Sequence, residues 1–158
     1  MSQHVLSVKV ENQSGVLARV VNLFSARGYN IDSLSVSKTE DEDISCITVV
    51  VNGDDRVIEQ VKKQLNKLID IIKVTDQPKE YSFQREIVML KLQLTSSKRI
   101  EIFQIAQTFK ASILDITQKS ITLEYLGSPE QLDIFIEILR PYGIKELNRS
   151  GRISFPKD

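Results

Sequence analysis

The stretch HVLSVKVENQSGVLARVVNLFSARG, residues 4–28, decides how the chain folds. Its first seven residues put Leu6, Val8 and Val10 on one face at a period of two, the pattern of a strand with one buried side. Glu11 to Gly15 then break the pattern with polar residues and a glycine. From Val16 onward the apolar spacing becomes helical. Val16, Leu17, Val20, Leu23 and Phe24 share one face, and Gly28 is placed to end the helix.

Working outward, residues Asn30 to Lys38 and Ile44 to Val51 read as two strands of a hairpin. The acidic turn Glu40-Asp41-Glu42-Asp43 joins them and reads as solvated charge, not as a metal site. Asn52-Gly53-Asp54-Asp55 ends the hairpin and starts a second helix on Val57, Ile58, Val61, Leu65 and Leu68, and Ile69 to Val74 is the expected closing strand. The order is βαββαβ. Polar residues and a proline in Gln77-Pro78-Lys79-Glu80 then mark a boundary. Expected domains are residues 1–77 and 84–158, with a linker over 78–83.

The second half repeats the order. Ile87 to Leu94 reads as a strand, and Arg99 to Lys110 as a helix with Ile102, Phe103, Ala106 and Phe109 inward. Ile113 to Thr117 and Ser120 to Leu126 form a second hairpin. Leu132, Phe135, Ile136 and Leu139 mark the last helix, and Ile144 to Phe155 is extended. The expectation is an α+β fold of two tandem ferredoxin-like βαββαβ modules with right-handed crossovers. Each module leaves one sheet face uncovered by its own helices, so pairing with another copy or another protein is expected.

Composition narrows the function. The chain has 158 residues, 41% of them hydrophobic, enough for packed cores. Lys plus Arg equals Asp plus Glu at 21 each, so no net field favours nucleic acid or an anionic membrane. The N-terminal residues lack a signal-peptide pattern, and no apolar run approaches the ~18 residues of a membrane span; a cytoplasmic location is expected. One cysteine, Cys46, rules out an intramolecular disulfide and reads as a small buried strand residue. With His4 the only histidine, soft ligands are too few for a typical zinc site. No phosphate-binding, dinucleotide-binding or hydrolase motif is present. RNA-binding modules share the βαββαβ order, but strands Leu6 to Val10 and Ile47 to Val51 have no rings for base stacking.

The informative stretch is Asn12-Gln13-Ser14-Gly15-Val16-Leu17. A helix starts there, and its first N–H groups can receive a carboxylate, with Gly15 allowing close approach. The plainer alternative is that Asn12 or Ser14 caps the helix and Gly15 permits the turn. A second stretch, Arg27-Gly28-Tyr29-Asn30-Ile31-Asp32-Ser33-Leu34, leaves the helix and enters the next strand with an amide at its start.

Together these stretches resemble an ACT domain, a small amino-acid-sensing module. The wording Asn12-x-Ser-Gly-Val-Leu-Ala-Arg-Val followed by Phe24-Ser-x-Arg-Gly-Tyr-Asn-Ile31 is similar to the acetolactate synthase (acetohydroxyacid synthase, AHAS) small-subunit family. Arg85-Glu86, the segment from Phe109 to Ile116, and Leu139 to Gly151 resemble that family's C-terminal domain. The resemblance runs from about residue 3 to 155.

It implies a regulatory subunit with no catalytic residues and no cofactor of its own. Thiamine diphosphate, Mg and FAD would belong to a catalytic partner that this chain activates and through which a branched-chain amino acid, usually valine, feeds back. It further implies a homodimer through ACT domains. The effector would lie between the loop of one copy and the Asn30 region of the other, touching Asn12, Ser14, Gly15, Val16, Leu17, Asn30 and Ile31. Val16 stands where members commonly have alanine, and Thr95 to Arg99 is a short connection. Two readings compete with the regulatory one: a stand-alone amino-acid sensor without a catalytic partner, and a small enzyme on a ferredoxin-like scaffold.

Overall fold

The computed structural model describes residues 2–158. The first half runs β1 (Ser2–Glu11), α1 (Val16–Ala26), β2 (Ile31–Lys38), β3 (Ile44–Gly53), α2 (Asp55–Asn66) and β4 (Ile71–Asp76). The second runs β5 (Ser82–Gln93), α3 (Arg99–Phe109), β6 (Ser112–Ile116), β7 (Ser120–Gly127), α4 (Pro129–Leu139), β8 (Ile144–Arg149) and β9 (Ile153–Pro156). Short 3₁₀ turns precede β5 and β8. Both halves are ferredoxin-like: the sheets run β2-β3-β1-β4 and β6-β7-β5-β8, all antiparallel, with β9 added beside β5.

The period-two positions become cores. In the first half, Leu6, Val8 and Val10 of β1 and Ile47, Val49 and Val51 of β3 meet Val16, Val20 and Phe24 of α1 and Ile58, Val61 and Leu65 of α2. Burying an aromatic such as Phe24 stabilises the fold by about 2–3 kcal/mol. In the second half, Val88, Leu90 and Leu92 face Ile102, Ala106, Leu132, Phe135 and Leu139. Phe103 and Phe109 are only partly buried against that cluster, and the rings of Phe109, Tyr125 and Phe135 pack at 4.7–5.6 Å.

Helix ends follow the local chemistry. Gly28, at φ +70°, ends α1: its N–H reaches Ser25 O and that of Tyr29 reaches Phe24 O, the Schellman pairing. Asp54 caps α2 by accepting from Val57 N at 2.9 Å. Ser128 and Gln131 form a reciprocal capping box on α4, with Pro129 at its first position.

Several expectations move. The closing strand of the first half begins at Ile71, not Ile69, which is 95% exposed. Residues 67–70 instead turn, with Leu68 N on Leu65 O and Ile71 N on Leu68 O. Cys46 is half-buried, not buried, with Sγ 3.4 Å from Ser7 Oγ. The extended run expected over 144–155 is two strands, broken at Ser150–Gly151 where Gly151 takes φ +83°.

The chain divides into two compact units, one ending at Gln84 but regaining Arg152–Asp158, the other Arg85–Gly151. The returning tail is tied to the first unit. Arg152 N donates to Ser33 Oγ at 2.8 Å, Ser154 Oγ bonds Gln77 Oε1, and Lys157 N reaches Tyr81 O at 2.9 Å. Sequence alone grouped those residues with the second half.

Candidate functional site

Helix α1 starts at Val16 with Gly15 as its N-cap, φ +86°, and no side chain caps it. The first helical bond runs from Arg19 N to Gly15 O, so the N–H groups of Leu17 and Ala18 lie ahead of the ladder. No acidic side chain occupies the first turn. Among the described residues, then, no side-chain cap or first-turn carboxylate offsets the partial positive charge of this helix end.

Asn12 does not cap the helix. Its Nδ2 donates to Glu42 O at 2.8 Å, its Oδ1 accepts from Ser45 Oγ at 3.1 Å, and its backbone N reaches Asp43 O at 2.7 Å. Asn12 thus fastens the loop before α1 to the turn between β2 and β3. Asp43 N in turn bonds Asp41 Oδ1, which shapes that acidic turn. Ser14 is exposed and makes no cap, Val16 is buried in the core, and Leu17 is 40% exposed beside the open helix end.

Arg19 is a residue that the sequence reading passed over. It is one turn beyond Gly15 and hence on the same helical face. Its guanidinium pairs with Asp70 through Nη2 at 2.5 Å and Nε at 2.7 Å. Its Nη1 lies 3.5 Å from where a Cβ on Gly15 would sit, so a cation overhangs the helix start.

Asn30 and Ile31 lie elsewhere. Ile31 pairs with Val51, which pairs with His4, at one end of the sheet. Lys38 pairs with Ser45, which pairs with Val10, at the other end, where Asn12 is tethered. The two rows are six residues apart along β3, from 45 to 51, or roughly 20 Å at the usual strand rise. One chain therefore groups Asn12, Ser14, Gly15, Val16 and Leu17, and holds Asn30 and Ile31 apart from them.

At the Asn30 end, Asp32 is a hub. Oδ1 accepts from Asn30 Nδ2 at 2.8 Å, and Oδ2 accepts from Asn52 Nδ2 at 2.5 Å and Gln3 Nε2 at 3.4 Å. The β2–β3 register shifts between Ile31 and Ser33, so Asp32 is the bulged residue of an edge strand. The only sequence signal for it was a carboxylate two residues beyond Asn30.

Other chemistry is sparse. Among the described residues no group of three or more His, Cys, Asp or Glu side chains could hold a metal ion, and no helix is long and apolar enough to cross a membrane. In the second unit Arg149 joins Glu86 at 2.5 Å and Asp133 at 2.7 Å. Desolvation opposes the guanidinium charge, but these two carboxylates outweigh it and raise its pKa. Tyr142 donates to Glu101 at 2.7 Å, and that bond holds the phenol pKa above its ordinary value.

Comparisons with known proteins match both halves of the chain to one family. The family model for an AHAS small subunit-like ACT domain matches residues 6–73, and that for the small subunit of acetolactate synthase matches residues 85–158. The acetolactate synthase small subunit of Mycolicibacterium smegmatis is 44% identical over 151 residues, 96% of this chain and 89% of that protein. That of Aquifex aeolicus is 40% identical over 157 residues, 99% and 82% of the two chains. The crystal structure of the acetolactate synthase small subunit from Thermotoga maritima superposes with a TM-score of 0.92 at 32% identity, covering 100% of this chain and 99% of that one.

Proposed function

Because the chain belongs to the acetolactate synthase small-subunit family, we propose that it activates a catalytic subunit of that enzyme and conveys feedback inhibition by a branched-chain amino acid, valine foremost. It acts in branched-chain amino acid synthesis, in the cytoplasm, and carries no catalytic residue itself. Thiamine diphosphate, Mg and FAD belong to the catalytic partner. The first module, residues 1–77, binds effector and dimerises; residues 84–158 form the C-terminal small-subunit domain after a short linker.

One observation carries the effector reading: the two half-sites lie at opposite ends of an edge strand. Two copies joined by antiparallel pairing of their β2 edges around a two-fold axis would set the Ile31 end of one against the Lys38 end of the other. The loop before α1 is fastened to that Lys38 end through Asn12 and the β2–β3 turn. Each copy would then offer its helix start to the Asn30 region of its partner, and two effectors would bridge the dimer.

In this arrangement the Leu17 and Ala18 N–H groups, under the Arg19 guanidinium, receive the effector carboxylate. Leu17 and Ile31 accept its aliphatic side chain. Asn12 acts indirectly, by fixing the loop, since both ends of its amide are engaged within the chain. Regulation follows if the effector favours one dimer arrangement over another, because only such a difference can reach the catalytic subunit.

The test is acetolactate formation by a cognate catalytic subunit with and without this chain, over a valine titration with leucine and isoleucine as controls. Stimulation that valine reverses is expected. Neither stimulation nor binding to the catalytic subunit would sink the reading in favour of a stand-alone sensor. Stimulation insensitive to all three amino acids would keep the subunit and remove the effector site.

A further inference from the structure

We infer that the catalytic subunit docks on an aromatic patch formed by Tyr81, Phe83, Ile153 and Phe155. The inference rests on the regulatory reading above and adds to it the surface by which that partner is held.

Among the described residues the exposed aromatic side chains are Tyr81, Phe83 and Phe155, and all of them fall here, drawn from two segments remote in sequence. With Ile153 they are 51–72% exposed. The patch lies wholly within the first unit, on residues before Arg85 and after Gly151. β9 pairs with β5, and Lys157 N reaches Tyr81 O at 2.9 Å. Counting back two residues along each antiparallel strand sets Phe155 beside Phe83.

The usual segregation is reversed in this ribbon. Ser82 and Gln84 are its buried residues, at 4% and 8% exposure, and both are polar. Hydrogen bonds within the unit satisfy them. Ser82 Oγ donates to Pro78 O at 2.8 Å, Gln84 Nε2 donates to Gln77 O at 3.1 Å, and Ser154 Oγ bonds Gln77 Oε1. Successive strand residues point to opposite faces, so the same pairing turns Phe83, Ile153 and Phe155 outward. The isolated chain gains little from rings left in water. Contiguous apolar patches of this kind mark protein-binding surfaces, where aromatic residues are enriched.

The occupant follows from where the ribbon sits, from its area and from its charge. Arg152 N donates to Ser33 Oγ. Ser33 pairs with Val50 and Val50 with Val5, a row outside the helix-facing core, so the ribbon starts over the sheet face opposite α1 and α2. Two copies joined through their β2 edges about a two-fold axis normal to the sheet would turn both patches to the same side. The patches cannot then face one another, and each is left for a different protein, which in the proposed function is the catalytic subunit. At about 150–250 Å² per fully exposed aromatic, the patch offers about 400–500 Å². That is roughly half of one side of a standard interface, so it forms the centre of a larger contact. Lys157 lies on it, Nζ 5.4 Å from the Phe83 ring centroid, and the matching surface is an apolar hollow with a carboxylate at its rim.

The experiment titrates the purified cognate catalytic subunit with the full chain, reading affinity by calorimetry and activation by acetolactate formation. Phe155→Ser and Tyr81→Ser remove rings from the two separate segments. Each should weaken binding by about 10- to 30-fold, the loss typical of an interface anchor. Ile134→Ser, at an exposed isoleucine of α4, should stay within about threefold of wild type. In every variant the free chain should keep wild-type valine affinity, thermal midpoint and mass by sedimentation.

Wild-type affinity in both ring variants would overturn the inference, and so would an equal loss in Ile134→Ser. A halved mass would make the patch a contact between copies, and lost valine binding would make it structural; either result overturns it too. If the wild-type chain neither binds nor activates the catalytic subunit, the regulatory reading itself falls, so the wild-type titration tells the two failures apart.

Discussion

Replacing Gly15 by aspartate should abolish effector response while leaving the fold standing. Gly15 sits at φ +86°, where an L-residue costs about 1–2 kcal/mol. A Cβ there meets only Arg19 Nη1 at 3.5 Å, ordinary contact, so no core atom has to move. The new carboxylate lies at an uncapped helix start, which returns about 0.3–1 kcal/mol. Net destabilisation is therefore about 1 kcal/mol, a shift of a few degrees in thermal midpoint. Binding suffers more. Two carboxylates about 4 Å apart repel by about 1 kcal/mol in a water-like medium and about 4 kcal/mol at an effective dielectric of 20. The site is exposed, so the lower half of that range applies, and valine affinity should fall by about tenfold or more. Gly15→Ala carries the same backbone strain without the charge and should lose less than about threefold. Calorimetric titration with valine, alongside thermal unfolding, decides it. If Gly15→Asp bound valine like wild type, or Gly15→Ala lost as much as Gly15→Asp, the helix start would not be the carboxylate site.

Other perturbations test separate parts of the molecule. Arg149→Met strands Glu86, whose side chain is 6% exposed, and should cost the second unit about 3 kcal/mol in chemical denaturation. Ser128→Ala removes one half of the α4 capping box and should cost about 1 kcal/mol by the same measurement. Asn12→Ala frees the loop before α1 and leaves the Ser45 hydroxyl without its acceptor, so it should cost about 1–2 kcal/mol and weaken valine binding. For Tyr142 the bond to Glu101 favours the protonated phenol, so its contribution is present below the ordinary tyrosine range and lost as pH rises through the higher folded value. Absorbance titration at alkaline pH should show Tyr142 ionising later than in Glu101→Gln; identical curves would remove that coupling.

The sequence by itself determined the order of elements and most of both cores. Leu6, Val8 and Val10, and later Leu132, Phe135, Ile136 and Leu139, declare a strand face and a helix face because burial must follow the period of the backbone. Gly28 ends α1 where it was expected, since a Schellman end needs only the local chain. The wording around Asn12 and Asn30 was likewise legible as that of the ACT family whose model matches residues 6–73. What Asn12 does was not. A side-chain amide before a helix can cap it or bond elsewhere, and the choice turned on the β2–β3 turn, some thirty residues later, coming within 2.8 Å. The same holds for the carboxylate of Asp32, which Gln3 and Asn52 reach from other strands at a bulge set by pairing register. Ile69 looked like a strand residue by type but lies in a turn, because β1 pairs with β4 only from Ile71 onward. Residues 152–158 follow the second half in sequence yet join the first unit, through bonds to Ser33, Gln77 and Tyr81. Periodicity reports which side of an element is buried; hydrogen bonds between distant segments are set only once the sheets have formed, and they place the charged and amide groups of the site.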